Sequence, residues 1–132
     1  MGLNITKNTA TPTGTVTMIL DGSVDNNTCM ALDREIAQAC TDSVKMLIFD
    51  MQKVSFVSSA GIGILIKSKE SLKSRGIESS MINVQAQVKR VFEIMQLLPT
   101  MNIFENRSEL DAYLVKIQNR ILDEGTSIST QE

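Results

Sequence analysis

The chain has 132 residues, 42% of them hydrophobic, which suits one domain with a substantial core. A net charge of −2 offers no basic face to a phosphate backbone, and 4% aromatic content without tryptophan offers no stacking platform, so direct nucleic-acid binding finds no support. The chain has no histidine, which removes the commonest general base and metal ligand.

Taken in order, residues 3–7 read as a short edge strand, and Thr11-Pro12-Thr13-Gly14 as a turn. Thr15 to Leu20 alternates apolar residues at 16, 18 and 20, the period of a half-buried strand. These two strands read as an antiparallel hairpin. Asp21 to Thr28 is dense in turn and capping residues and opens a helix whose stripe is Cys29, Leu32, Ile36 and Cys40. Both cysteines lie on that helix, too far apart to bridge and without further metal ligands nearby, so they read as core residues of a reduced, cytoplasmic protein. Val44 to Met51 is an unalternating apolar run, which suits a central strand covered on both faces. Gln52-Lys53 reads as a turn.

A second helix is expected from about Ile62 to Lys73, with Gly76 as its left-handed stop. Ser79 to Val84 reads as a strand. Val88, Val91, Phe92 and Met95 predict a third helix over 85–97, ended by Pro99. Met101 to Phe104 reads as a fifth strand. Asn106 with Glu109 predicts a capping box, opening a last helix with the stripe Leu110, Tyr113, Leu114, Ile117 and Ile121. Met18, Met46, Met51, Met81, Met95 and Met101 read as core filling. The fold class is therefore α/β: a mixed, mostly parallel five-stranded sheet with about four helices, in the order β-β-α-β-α-β-α-β-α. Residues 1–122 form a single domain, and 123–132 are too polar to fold. No apolar run approaches the roughly 20 residues of a membrane span, and the polar, Thr-rich start is not a signal peptide.

In a parallel sheet, ligands and partners meet the loops at the carboxyl ends of the strands. Two such loops stand out: Gly22 to Thr28 and Phe56 to Gly61. In the second, Ser58 and Ser59 sit where a helix begins. A serine there can be a plain N-cap, or a hydroxyl whose phosphate the helix dipole would receive well. Asp25 alone reads as a cap of the first helix, and Gly61 and Gly63 as allowing close packing.

Enzyme readings fail in turn. Gly61-Ile62-Gly63 lacks the glycine at position 66 that a P-loop or dinucleotide fingerprint needs. Ser59 is flanked by Val57 and Gly61, not by a nucleophile elbow, and no histidine could activate it. Asp50 ends a strand as a phospho-acceptor would, but the acidic pocket for Mg²⁺ is missing.

The segment Asp50-Met51-x-x-Val54-x-Phe56-Val57-Ser58-Ser59-Ala60-Gly61-Ile62 resembles the signature of STAS domains, in particular the anti-sigma factor antagonists of the SpoIIAA and RsbV type. Leu20-Asp21-Gly22-Ser23-Val24-Asp25 is similar to that family's motif before its first helix. Val88 to Phe92, Leu97-Leu98 and Ile103-Phe104 are similar to its third helix and last strand. The likeness covers about residues 13–120 and implies the STAS fold. It implies a non-enzymatic, cofactor-free switch that binds an anti-sigma factor acting also as an ATP-dependent serine kinase. That kinase would phosphorylate Ser59 and so end the binding, and a serine phosphatase would reset it. The family often has Asp directly before the acceptor; here Ser58 stands there, which leaves Ser58 as the alternate acceptor. Asp25, Thr28, Ser58, Ser59 and Gly61 are the implied partner-binding positions, with no metal site. A second copy of the chain is a further candidate partner. Alternatives are an unphosphorylated STAS scaffold in a signalling complex and a small-ligand or nucleotide-binding module.

Overall fold

A computed structural model describes residues 2–8, 14–41 and 43–116. It contains β1 (Leu3–Asn8), β2 (Thr15–Val24), α1 (Cys29–Ala39), β3 (Met46–Val57), α2 (Ser59–Ser74), β4 (Glu78–Ile82), α3 (Ala86–Ile94), α4 (Leu98–Met101) and β5 (Ile103–Phe104). A last helix, α5, follows over 107–116. The expected class and element order are those observed, with the short α4 added before β5. The expected turn at 11–13, the stripe positions Ile117 and Ile121, and the polar tail lie outside the described residues.

The sheet runs β1-β2-β3-β4-β5, in the order of the sequence. β1 is antiparallel to β2, and the remaining neighbours are parallel. Each parallel step must cross over right-handedly, so an unreversed strand order sends every crossover helix to the same face. Accordingly α1, α2 and α3 supply Leu32, Ile36, Leu65, Leu72, Val88 and Phe92 to one core, against Met18, Leu20, Phe49 and Met51 of the sheet. The opposite face is left to α5, whose Leu110 forms a second, small core with Ile48 and Ile82. The expectation that β3 is covered on both faces holds. One face carries three crossover helices, and the other is covered over Ile48 by α5.

Several boundaries differ from expectation for identifiable reasons. β2 continues through Asp21-Gly22 to Val24, and β3 through Gln52-Lys53 to Val57, because the two strands keep pairing across register shifts between 19 and 23. Polar residues are tolerated there because Asp21, Gln52 and Lys53 are exposed. Pro99 does not follow the third helix but opens α4, where a missing N–H costs nothing. α3 stops earlier, at Ile94, as the chain reaches the left-handed Gln96 (φ 59°). Gly76 takes the expected left-handed stop after α2 (φ +79°).

At α5, Asn106 Oδ1 accepts from Glu109 N at 2.9 Å, as the capping reading required. The return bond goes to Glu105 N at 3.2 Å rather than to Asn106 N, so the box closes one residue early. Most of the methionines expected in the core are there, but Met95 is exposed. Cys29 and Cys40 are buried and unbridged. Burial pushes the Cys40 thiol up, against a weaker opposing pull from the Arg75 guanidinium. The unfolded chain therefore releases this proton at lower pH than the native chain, and the group's contribution to stability falls as pH rises past the ordinary thiol value. Alkylation of Cys40 at mildly alkaline pH is expected to track unfolding in urea; labelling at native-state rates of an exposed thiol would refute that. Among the described residues no helix is long and apolar enough to cross a membrane.

Candidate functional site

β2 and β3 are parallel neighbours and end in register, Val24 opposite Val57. The loops that leave them therefore start at the same level of the same edge. This brings Asp25 and Thr28 beside Ser58, Ser59 and Gly61.

The first loop is a self-bonded turn. Asp25 Oδ1 accepts from Asn27 N at 2.9 Å and from Thr28 N at 3.2 Å. Thr28 Oγ1 donates to Ser23 O at 2.7 Å and accepts from Asp25 N at 2.9 Å. Thr28 is buried, so its hydroxyl is structural: it ties the end of β2 to the start of α1. Asp25 is half-buried and caps this turn rather than the helix itself. Thr28→Val keeps the shape and removes those bonds. It is expected to cost about 1–2 kcal/mol in urea unfolding, and a loss below about 0.3 kcal/mol would mean that water replaces the hydroxyl.

The second loop divides the two serines. Ser58 is the N-cap of α2, in extended geometry, and its Oγ accepts from Gly61 N at 3.1 Å. The same hydroxyl donates to Asn26 Oδ1 at 3.3 Å, and the Ser58 amide donates to Val24 O at 2.9 Å. Ser58 is thus committed three ways. Ser59 is the first residue of α2, it is exposed, and among the described residues no hydrogen bond engages its hydroxyl. No acidic residue occupies the first turn of α2, so nothing competes with an added anion for the partial positive charge there.

Gly61 is buried where α2 passes over the end of β2. A Cβ on it would overlap the Val24 carbonyl oxygen and stand 2.9 Å from the carbonyl carbon. Close packing is therefore the role of Gly61. Gly63 has nothing within 4 Å of such a Cβ, so the packing reading fails for it.

Asn26 was one turn residue among several in the sequence, and nothing there marks it as the acceptor for Ser58, since that pairing crosses 32 residues. Two large apolar side chains next to these loops are also exposed: Met30 at 57% and Phe56 at 53%. An alternating strand places Phe56 on the face opposite Val57, away from the crossover helices. A groove of about 450 Å³, lined in part by Gly14, Thr15 and Val44, lies at the other, amino end of the strands. What the site presents is an exposed hydroxyl, a carboxylate and exposed apolar surface.

The fold is shared with known proteins. The model of the STAS domain family matches residues 6–110. The anti-sigma-F factor antagonist RsfB of Mycobacterium tuberculosis is 25% identical over 101 residues, 76% of this chain and 82% of its own. An anti-sigma factor antagonist from Mycobacterium paratuberculosis superposes with a TM-score of 0.72 at 21% identity, over 83% of this chain and 92% of that one. The Bacillus cell fate determinant SpoIIAA in its phosphorylated form superposes with a TM-score of 0.63 at 20% identity, over 83% of this chain and 99% of that one.

Proposed function

The chain belongs to the STAS domain family, and on that premise we propose that it is an anti-sigma factor antagonist, a binding protein switched by phosphorylation of Ser59. The observation that carries the reading is the division of labour between the two serines. Ser58 caps α2 and holds Asn26, while Ser59 offers an unengaged hydroxyl beside it.

In this reading the unmodified domain docks an anti-sigma factor through the Asp25 loop and the start of α2. The partner, itself a serine kinase, transfers phosphate to the Ser59 hydroxyl. That adds about −1.5 to −2 charges to a docking surface that already carries Asp25. The helix N-terminus stabilises the phosphate within its own domain, while the docked partner meets new repulsion and desolvation. A serine phosphatase restores the starting state, and all of this takes place in the cytoplasm. Asp25 and Ser59 touch the partner; Thr28, Ser58 and Gly61 hold the two loops in place for it. The scaffold remains rigid, because Ser58 N–Val24 O and Gly61 fix the loops to the sheet. The names of the relatives support the assignment, and the phosphorylated form of SpoIIAA supports the control.

Intact-mass analysis tests it. Wild type, Ser59→Ala and Ser58→Ala are incubated with ATP and each switch-type serine kinase of the source organism. A single phosphate is expected on wild type and Ser58→Ala, and none on Ser59→Ala. Binding of Ser59→Asp to the same kinase is expected to be at least about tenfold weaker, roughly 1.4 kcal/mol. Phosphate retained on Ser59→Ala and lost on Ser58→Ala moves the acceptor to Ser58. No phosphate with any kinase, combined with intact binding, refutes the switch and leaves a scaffold.

A further inference from the structure

The sheet has two edges, and they are finished differently. At one, β5 is only two residues long and leaves 78–80 of β4 without a strand on that side. Side chains cover the gap. Lys69 Nζ donates to Ser79 O at 3.3 Å, and Asn102 Nδ2 donates to the same oxygen at 3.2 Å. A short end strand and a lysine laid across the backbone are common ways to close an open edge.

β1 forms the other edge and has neither device. It is six residues long, and it pairs with β2 without a register shift. It has no proline, and its one charged residue is Lys7. That ammonium stands 2.7 Å from the Glu35 carboxylate of α1, so it is held on the helix-covered face. Leu3 and Ile5 pack against the main core and anchor the strand, while Asn4 and Thr6 are exposed. In an antiparallel strand alternate residues direct both N–H and C=O to the same side, so about three of the six present both groups outward. Among the described residues no strand answers them.

The same strand from a second copy fits this edge. Antiparallel pairing of a strand with itself is isologous, so one two-fold axis serves both copies. Opposite residues must share a face of the joined sheet, which centres the pairing on Ile5 or on Thr6. Lys7 then stands opposite Leu3 or Ile5 of the other copy, and the two lysines do not face each other. On the exposed face Thr6 meets Asn4 or Thr6, both uncharged. Neither register sets like charges opposite one another.

We propose that the outer edge of β1 is a docking surface for a second copy of this chain, paired antiparallel so that two five-stranded sheets join into one of ten strands. The contact is a strip about 20 Å long at 3.4 Å per residue. That is small for a stable dimer, so association is weak and reversible. It uses none of the residues of the Asp25 and Ser59 loops and stands independently of the phosphorylation reading.

The test is sedimentation equilibrium of the whole chain from about 10 µM to about 1 mM, the range of weak association, with hydrogen exchange read amide by amide at both ends. A dimer is expected at the upper end, with exchange slowed at alternate amides of β1. Thr6→Lys and Thr6→Asp change an exposed side chain. Across the axis the two substituted positions lie opposite or one diagonal step apart. Each variant is therefore expected to self-associate about tenfold or more weakly than wild type, and an equimolar mixture of the two to regain association. Far-UV circular dichroism and urea midpoints like those of wild type verify that both variants are folded. A chain that stays monomeric throughout, a dimer whose slowed amides lie outside β1, or a Thr6→Lys protein that dimerises like wild type would each overturn the proposal. So would alternate β1 amides equally protected at both concentrations, since the edge would then be filled within a single copy.

Discussion

Gly61→Ala is expected to lower the stability of the fold by about 3 kcal/mol and to abolish partner binding and phosphate acceptance together. The added methyl collides with backbone, the Val24 carbonyl, and not with the end of a flexible side chain. α2 must therefore lift from the end of β2, which breaks the Ser58 N–Val24 O bond and pulls Ser58 away from Asn26. Overpacking costs typically 1–3 kcal/mol, and a lost hydrogen bond adds about 1. Gly63→Ala is the control. It sits two residues on in the same helix with open space around it, and alanine there should stabilise by up to about 1 kcal/mol. Urea unfolding of the pair, with kinase-dependent phosphorylation as the second readout, decides the matter. Near-equal stability of the two variants would show that the close approach at Gly61 yields at little cost.

Leu110→Ala is the second large effect, expected at about 3 kcal/mol within the 2–5 of buried Leu→Ala changes. Leu110 is fully buried and joins Ile48 and Ile82, flanked by Met46, Phe104 and Leu114. That cluster is separate from the main core, so nothing else fills the space when Leu110 is cut back. Hydrogen exchange should speed up along α5 and at Ile48 and Ile82. Phosphorylation of Ser59 should be unchanged, because among the described residues no hydrogen bond of the β2 and β3 loops reaches α5. Loss of phosphorylation at full stability would contradict this separation of the two cores.

Periodicity in the sequence located most elements because each crossover helix buries one stripe against one sheet face. It failed where the backbone rather than the side chains decides. β2 and β3 extend through Asp21-Gly22 and Gln52-Lys53 because parallel pairing continues across a bulge, which polar, exposed residues do not announce. The apolar run of β3 announced two covered faces, but which helices cover each follows only from the strand order. Proline read as a helix stop at 99 and acts as a helix start, since both roles share one residue type. In the candidate site, the motif led to loops that the fold places at one edge, but which of Ser58 and Ser59 caps α2 was not legible. Which serine caps depends on where α2 begins, a matter of one residue that boundary signals do not resolve. Asn26 escaped notice because its partner is far away in sequence.

Strand order that follows chain order has a consequence for synthesis and engineering. Among the described residues, the bonds that shape the two loops lie within residues 23 to 61: Ser23–Thr28, Asp25–Thr28, Val24–Ser58, Asn26–Ser58 and Ser58–Gly61. A ribosome building the chain from its amino end has joined every group of that surface before it makes β4. The rear of the molecule then serves as a brace that is fitted last. Grafts, labels or fused domains joined behind α5 should leave recognition intact, whereas the same additions between β2 and α2 should not.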